Sequence, residues 1–205
     1  MKTKHLIYGI LALAVFAVVL FSLRVFGSTP NYINPDTFQE QNAASTEAFD
    51  KMMDVLTHPR CVNCHPSDNI PKQGLDAHPH YFGMARGANN FGFQATNCAS
   101  CHQSENNNYS GVPGAPEWSL APAAMRWEGL SRVEIARSMM DPERNGGRTA
   151  EETLHHLTEH ELVLWAWEPG LDAEGVPREP PPVSKEDYIA AVKKWFEEGH
   201  IIPSE

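Results

Sequence analysis

Cysteine is scarce in this chain, four residues in 205, and none is left over for a structural disulfide. Each one falls in one of two five-residue segments, Cys61-Val62-Asn63-Cys64-His65 and Cys98-Ala99-Ser100-Cys101-His102, so a cross-linked scaffold is excluded. Basic side chains are also in deficit. Sixteen Lys and Arg stand against 26 Asp and Glu, a formal net charge of −10, and a surface of that sign repels nucleic-acid phosphates. The acidic balance fits solubility, or the steering of a basic partner, equally well. Long apolar runs are limited to one near the N-terminus, and no repeat is visible beyond the two cysteine segments.

Those segments carry the strongest chemistry. Two thiols at i and i+3 with a histidine directly after them form the pattern that attaches a c-type haem. One helical turn aims both thiols at the two vinyl groups of a porphyrin, and the adjacent imidazole reaches the iron from the same side. The expectation is two covalently bound haem c groups (iron), held by Cys61, Cys64, Cys98 and Cys101, with His65 and His102 as proximal ligands. Zinc is the competing reading of C-x-x-C pairs. The 33 residues between Cys64 and Cys98 exceed the usual spacing of about 15 to 20, and zinc does not explain a His after both pairs. Redox or disulfide use of the pairs ranks lower still. Thiols kept for haem attachment require export, so the N-terminus is expected to carry a signal.

Lys2, Lys4 and His5 precede an apolar run, Leu6 to Leu23, interrupted only by Tyr8, Gly9 and Ser22. As a helix it spans roughly 27 Å, close to the hydrocarbon thickness of a bilayer. That is longer than a signal-peptide core of about 7 to 15 residues, which favours an uncleaved anchor over cleavage after Val25-Phe26-Gly27. Residues 1–27 are thus expected to be a signal anchor or uncleaved transmembrane helix. With the lysines inside, the rest lies on the periplasmic side of the bacterial inner membrane.

Residues 28–44, with Pro30, Pro35 and no hydrophobic period, read as a tether, and 45–205 as one haem-bearing domain. The first helix is expected to start near Ser45 or Thr46. It carries Phe49, Met52, Met53 and Leu56 on one face and is ended by Pro59. Met52 and Met53 read as core residues, and Arg60 as a partner for a haem propionate or a solvated side chain. From Pro66 to Asn97 the chain is punctuated by Gly and Pro without period, and a covalently held haem would supply the core such a segment wraps. Ser131 with Glu134 and Thr149 with Glu152 make capping boxes, the first for a short helix ending at Asp141-Pro142 and the second for a longer one through Trp167. Ser184 with Asp187 opens the last helix, stopped by Gly199. The fold class expected is mostly α: a compact diheme domain with long irregular haem-wrapping loops, preceded by one N-terminal transmembrane or signal helix.

Function turns on the second axial position. A Met or His there gives electron transfer, and an open position gives gas or peroxide chemistry. The loop between the motifs offers His78, His80 and Met84. Downstream, Met125 lies in an Ala/Pro loop before Trp127, and His156 sits among Leu154, Leu157 and Leu162, with His155 and His160 competing. The distal candidates are His80, Met125 and His156. His156-Leu157-Thr158-Glu159-His160 also matches the H-x-x-E-H pattern of inverted zinc proteases, a five-residue match in a chain already committed to haem chemistry.

The phrases His58-Pro59-Arg60-Cys61-Val62-Asn63-Cys64-His65, Pro79-His80, Ala85-Arg86-Gly87, Gly114-Ala115-Pro116-Glu117-Trp118, Met125-Arg126-Trp127-Glu128-Gly129-Leu130-Ser131, Asp141-Pro142, Asn145-Gly146-Gly147-Arg148 and Leu162-Val163-Leu164-Trp165-Ala166-Trp167-Glu168-Pro169-Gly170 together resemble a family of bacterial diheme c-type proteins commonly labelled isoquinoline 1-oxidoreductase subunit. The resemblance spans roughly Phe49 to Gly199. It implies an electron-accepting subunit beside a molybdenum-containing hydroxylase, and it implies counterparts of His80, Met125 and His156 as ligands without ranking them. It does not imply oxidation of isoquinoline by this chain, which shows no molybdopterin or flavin signature. The long apolar N-terminal segment departs from the family and favours a tethered protein.

The expectation is therefore a membrane-tethered diheme cytochrome c, an electron-transport protein and not an enzyme. It would relay single electrons between periplasmic redox partners, a larger oxidoreductase complex among them. Two alternatives stand beside it: a diheme peroxidase-type enzyme with one open haem site, for which no acid–base residue is evident, and a haem-based sensor.

Overall fold

The computed structural model of the protein describes residues 35–204. The expected membrane segment, residues 1–27, and the start of the expected tether lie outside the described residues. Among the described residues no helix is long and apolar enough to cross a membrane. Residues 41–205 form one unit and contain both C-x-x-C-H segments; of the other, residues 1–40, only the beginning of the first helix is described.

Among the described residues six helices carry the fold, and there is little sheet. The first, α1 (Pro35–Leu56), begins ten residues before the expected start near Ser45. Its opening lacks a hydrophobic period, but Pro35 suits the first helical position, and Gln39, Glu40, Gln41, Ala43 and Ala44 are good helix formers. Pro59 then plays two parts: it follows the end of α1 and occupies the first turn of α2 (Pro59–Val62), capped by His58, whose Nδ1 accepts from the Arg60 backbone N–H at 3.2 Å.

From Pro66 to Asn97 the chain is mostly irregular, as its punctuation predicts. It adds a two-stranded antiparallel ribbon, β1 (Lys72–Gln73) with β2 (His78–Pro79), and 3-10 turns at Tyr81–Gly83 and Cys98–Ser100. Gly87, at a φ of 68°, is one place where only glycine fits, because a Cβ there would run into the backbone of Gly92.

The capped helices follow. Both capping boxes form, Ser131 with Glu134 opening α3 (Arg132–Met140) and Thr149 with Glu152 opening α4 (Ala150–Glu159). The expected single helix through Trp167 is instead broken: α4 stops at Glu159, His160 takes an extended backbone, and α5 (Glu161–Leu164) runs into a 3-10 turn at Trp165–Trp167. No Gly or Pro marks that break. His160 lies 3.6 Å from the carboxylate of Glu117, a contact from 43 positions up the chain. The last helix, α6 (Lys185–Glu197), is capped by Ser184. It ends with Gly199 N–H on the Phe196 carbonyl and His200 N–H on the Trp195 carbonyl, a Schellman arrangement with Gly199 at a φ of 86°.

One apolar core joins these elements. Phe49, Met52, Met53 and Leu56 present the predicted face of α1 and meet Ile135 and Met139 of α3, Leu157 of α4, and Tyr188, Val192 and Trp195 of α6. Met52 and Met53 are fully buried, in keeping with their reading as core. Met125 and Trp127 enter the same core from a loop, and they lead to the site.

Candidate functional site

Each C-x-x-C-H segment folds as a tight turn. At the first segment the helical turn of α2 continues through Cys64, whose N–H reaches the Cys61 carbonyl at 3.2 Å, with His65 N–H on Val62 at 2.8 Å. At the second, a 3-10 turn gives Cys101 N–H to Cys98 at 3.2 Å and His102 N–H to Cys98 at 2.9 Å. All four thiols are free. Burial pushes the Cys61 thiol up to about 12 and Cys64 up to about 11. Redox C-x-x-C pairs depend on the opposite, a thiolate stabilised by its surroundings.

The two histidines are held by the same device. His65 donates from Nδ1 to the Met125 carbonyl at 3.0 Å and stacks on Trp127 with ring centroids 3.7 Å apart and planes 10° from parallel. His102 donates from Nδ1 to the Pro113 carbonyl at 2.7 Å and stacks on Trp118 at 4.5 Å and 7°. A ring whose Nδ1 carries the donated proton keeps a lone pair on Nε2, the tautomer a metal ligand needs. Burial holds His65 neutral, its pKa lowered to about 4, and moves His102 in the same direction. Further bonds fix the first loop: Trp127 and Glu128 N–H groups on the His65 carbonyl at 3.0 and 3.2 Å, Ala121 N–H on the Cys64 carbonyl at 2.9 Å, and the Glu128 carboxylate on Ser67.

Beside the first segment lies a cavity of about 200 Å³ whose walls include Cys61, Cys64, His65, Met125, His156 and Arg148. His156 projects from α4, and burial, with Arg148 adding to it, lowers its pKa to about 3. Its ring contacts that of His160 at 4.8 Å but makes no hydrogen bond among the described residues. Met125 is buried in the same wall. Its backbone carbonyl, however, is the acceptor of His65 Nδ1, and its Sδ rests 4.0 Å from Arg148 Nη1.

Beside the second segment stands His80. Its ring centroid is 5.9 Å from that of His102, with planes at 71°, and its Nδ1 donates to the Tyr81 carbonyl at 2.7 Å. Of the other histidines in the loop and on α4, His78 is tied to Asp76 at 2.6 Å and His155 is exposed against Glu159 at 3.3 Å. Glu159 thus turns away from His156 and His160, and the H-x-x-E-H match does not assemble. Among the described residues no group of three or more His, Cys, Asp or Glu side chains is placed to hold a bare ion.

Several residues here carried no role in the sequence reading. Trp118 and Trp127 were visible only as loop tryptophans, and the carbonyls of Pro113 and Met125 have no signature at all. Asn145 is another. Its side-chain amide donates to the Met139 and Arg148 carbonyls at 2.9 and 3.0 Å and its oxygen accepts from the Arg148 N–H at 2.8 Å, locking the loop between α3 and α4. Arg86 is buried and donates to Ala121, Asn90 and Asp68 oxygens. A chain of contacts links the two regions: His102 on Trp118, Trp118 edge-on to Trp165 at 4.8 Å, and Arg60, next to Cys61, over Trp165 at 6.0 Å.

No family model, no curated protein and no solved structure matches the chain.

Proposed function

We propose that the protein is a diheme c-type cytochrome that relays single electrons between redox proteins on the periplasmic side of the inner membrane, tethered there by the apolar run Leu6–Leu23. The observation that supports it most is the repeated housing of the two motif histidines. In each, Nδ1 is spent on a backbone carbonyl, a tryptophan fixes the ring plane, Nε2 is left as an acceptor, and a second imidazole stands in the same region. Pairs suffice where a porphyrin supplies the remaining four donors.

Cys61 and Cys64 would hold one haem and Cys98 and Cys101 the other, with His65 and His102 as proximal ligands. His80 completes the second site. Its ring centroid stands 5.9 Å from that of His102, and with His102 it would hold the metal of the second haem. His156 completes the first. Met125 lines the same cavity, but its carbonyl sits behind the His65 ring and its sulfur rests on Arg148, so it packs. Bound haem supplies the one-electron couple. The protein's own work is to fix both imidazole tautomers, close the first site under α3 and α4, and keep water from it.

The test is low-temperature electron paramagnetic resonance and peroxide turnover on the exported full-length protein. Two low-spin bis-imidazole signals without peroxidase activity are expected. A high-spin haem that turns over peroxide would replace this reading with the enzyme, and tight carbon monoxide binding without turnover would replace it with the sensor.

A further inference from the structure

Arginine is distributed unevenly around the first cavity. Arg132, which does not line it, pairs with Asp50 and Asp54 in the usual way. Arg60 and Arg148 line the cavity and, among the described residues, form no ion pair with a carboxylate, in a chain where acids outnumber bases 26 to 16. Arg60 uses only Nε, donating to the Glu179 carbonyl at 2.9 Å; burial disfavours its cation first, Arg178 adds to that, and the nearby Glu179 carboxylate only partly offsets them without forming an ion pair. Arg148 spends Nη1 on the Asn145 carbonyl at 2.7 Å and on Met125 Sδ. Arg86 and Arg178 differ, because backbone carbonyls take most of their donors: Ala121 and Asp68 for the first, Pro169, Leu171 and Gly111 for the second. The one acidic side chain in the cavity wall, Glu117, is turned to His160 at 3.6 Å. Two partly buried guanidinium groups that line one cavity without a carboxylate ion pair among the described residues call for an anion.

We infer that Arg60 and Arg148 form a two-point carboxylate clamp in the first cavity, taking the two propionates of the porphyrin held there, and that this clamp raises the reduction potential of the first site relative to the second. The clamp rests on the haem reading above. Its physical basis is that fixed positive charge beside a redox centre favours the form with one more electron, and pairing removes the opposing effect of an unscreened carboxylate. Arg60 is positioned by the turn that carries Cys61, and Arg148 by the Asn145 loop lock, so both reach the cavity from elements that also carry its imidazoles.

The experiment is spectroelectrochemical titration of the full-length, haem-loaded protein with Arg60→Gln, Arg148→Gln, the two Lys counterparts, and Arg144→Gln as an exposed control. Both Gln variants are expected to lower the same midpoint potential, each by about tenfold in the one-electron equilibrium, or 59 mV. That potential should belong to the haem whose spectrum responds to His156→Ala. The Lys variants should recover most of the shift, and Arg144→Gln should leave both potentials in place. The clamp is overturned if neither potential moves, if the haem that responds to His80→Ala moves instead, if the control moves as much, or if the Lys variants also lose the haem. A preparation with no attached haem would overturn the functional reading itself, whereas two haems with unresponsive potentials would overturn the clamp alone.

Discussion

His65 and His102 are oriented alike, each by a backbone carbonyl on Nδ1 and a parallel tryptophan, yet the surroundings differ: His65 faces a cavity walled by α3 and α4, whereas His102 lies among loops with Cys101 exposed. The second imidazoles differ correspondingly. His156 comes from a helix with a full capping box, and His80 from the entry to a 3-10 turn where Phe82 takes a φ of 66° and is 91% exposed. The comparison teaches that the tautomer is the invariant requirement, satisfied locally at each site, and that enclosure is the variable.

The largest expected effect comes from removing the second imidazoles one at a time. His156→Ala should convert only the first haem from low to high spin and His80→Ala only the second, as read by paramagnetic resonance; one variant disturbing both signals would break the assignment. Next, the tryptophans should separate the sites by stability. Trp127 is 3% exposed inside the common core, so Trp127→Ala should cost about 3–5 kcal/mol in denaturant unfolding, and the partly buried Trp118 measurably less. Equal costs would remove the distinction in enclosure. Met125→Ala sharpens the first site: it should cost about 2–5 kcal/mol as a buried truncation while leaving both haems low-spin, and loss of a low-spin signal would make Met125 the ligand. The smallest effect belongs to the cap of α4. Thr149→Ala should lower stability by about 1 kcal/mol and leave both haem spectra unchanged.

What could be read from the sequence was whatever is decided within a few residues. The boxes at Ser131 and Thr149, the stop at Gly199 and the apolar face of α1 all depend on neighbours three or four positions apart, and all form. The early start of α1 was hidden because helix formers without an apolar stripe look like a tether. The break at His160 was hidden because its partner, Glu117, is brought there by tertiary structure from a loop with no periodic signal. The site divides along the same line. Both C-x-x-C-H segments could be read, and His80, Met125 and His156 could be named without choosing among them, but the carbonyls of Met125 and Pro113 could not, because a backbone acceptor 60 or 11 positions away leaves no residue-type preference.

The most direct test of the account is the mass of the denatured, exported chain, with each cysteine segment mapped after proteolysis. The account predicts two haems per polypeptide, one on the Cys61–Cys64 peptide and one on the Cys98–Cys101 peptide. Unmodified thiols on either peptide would contradict it.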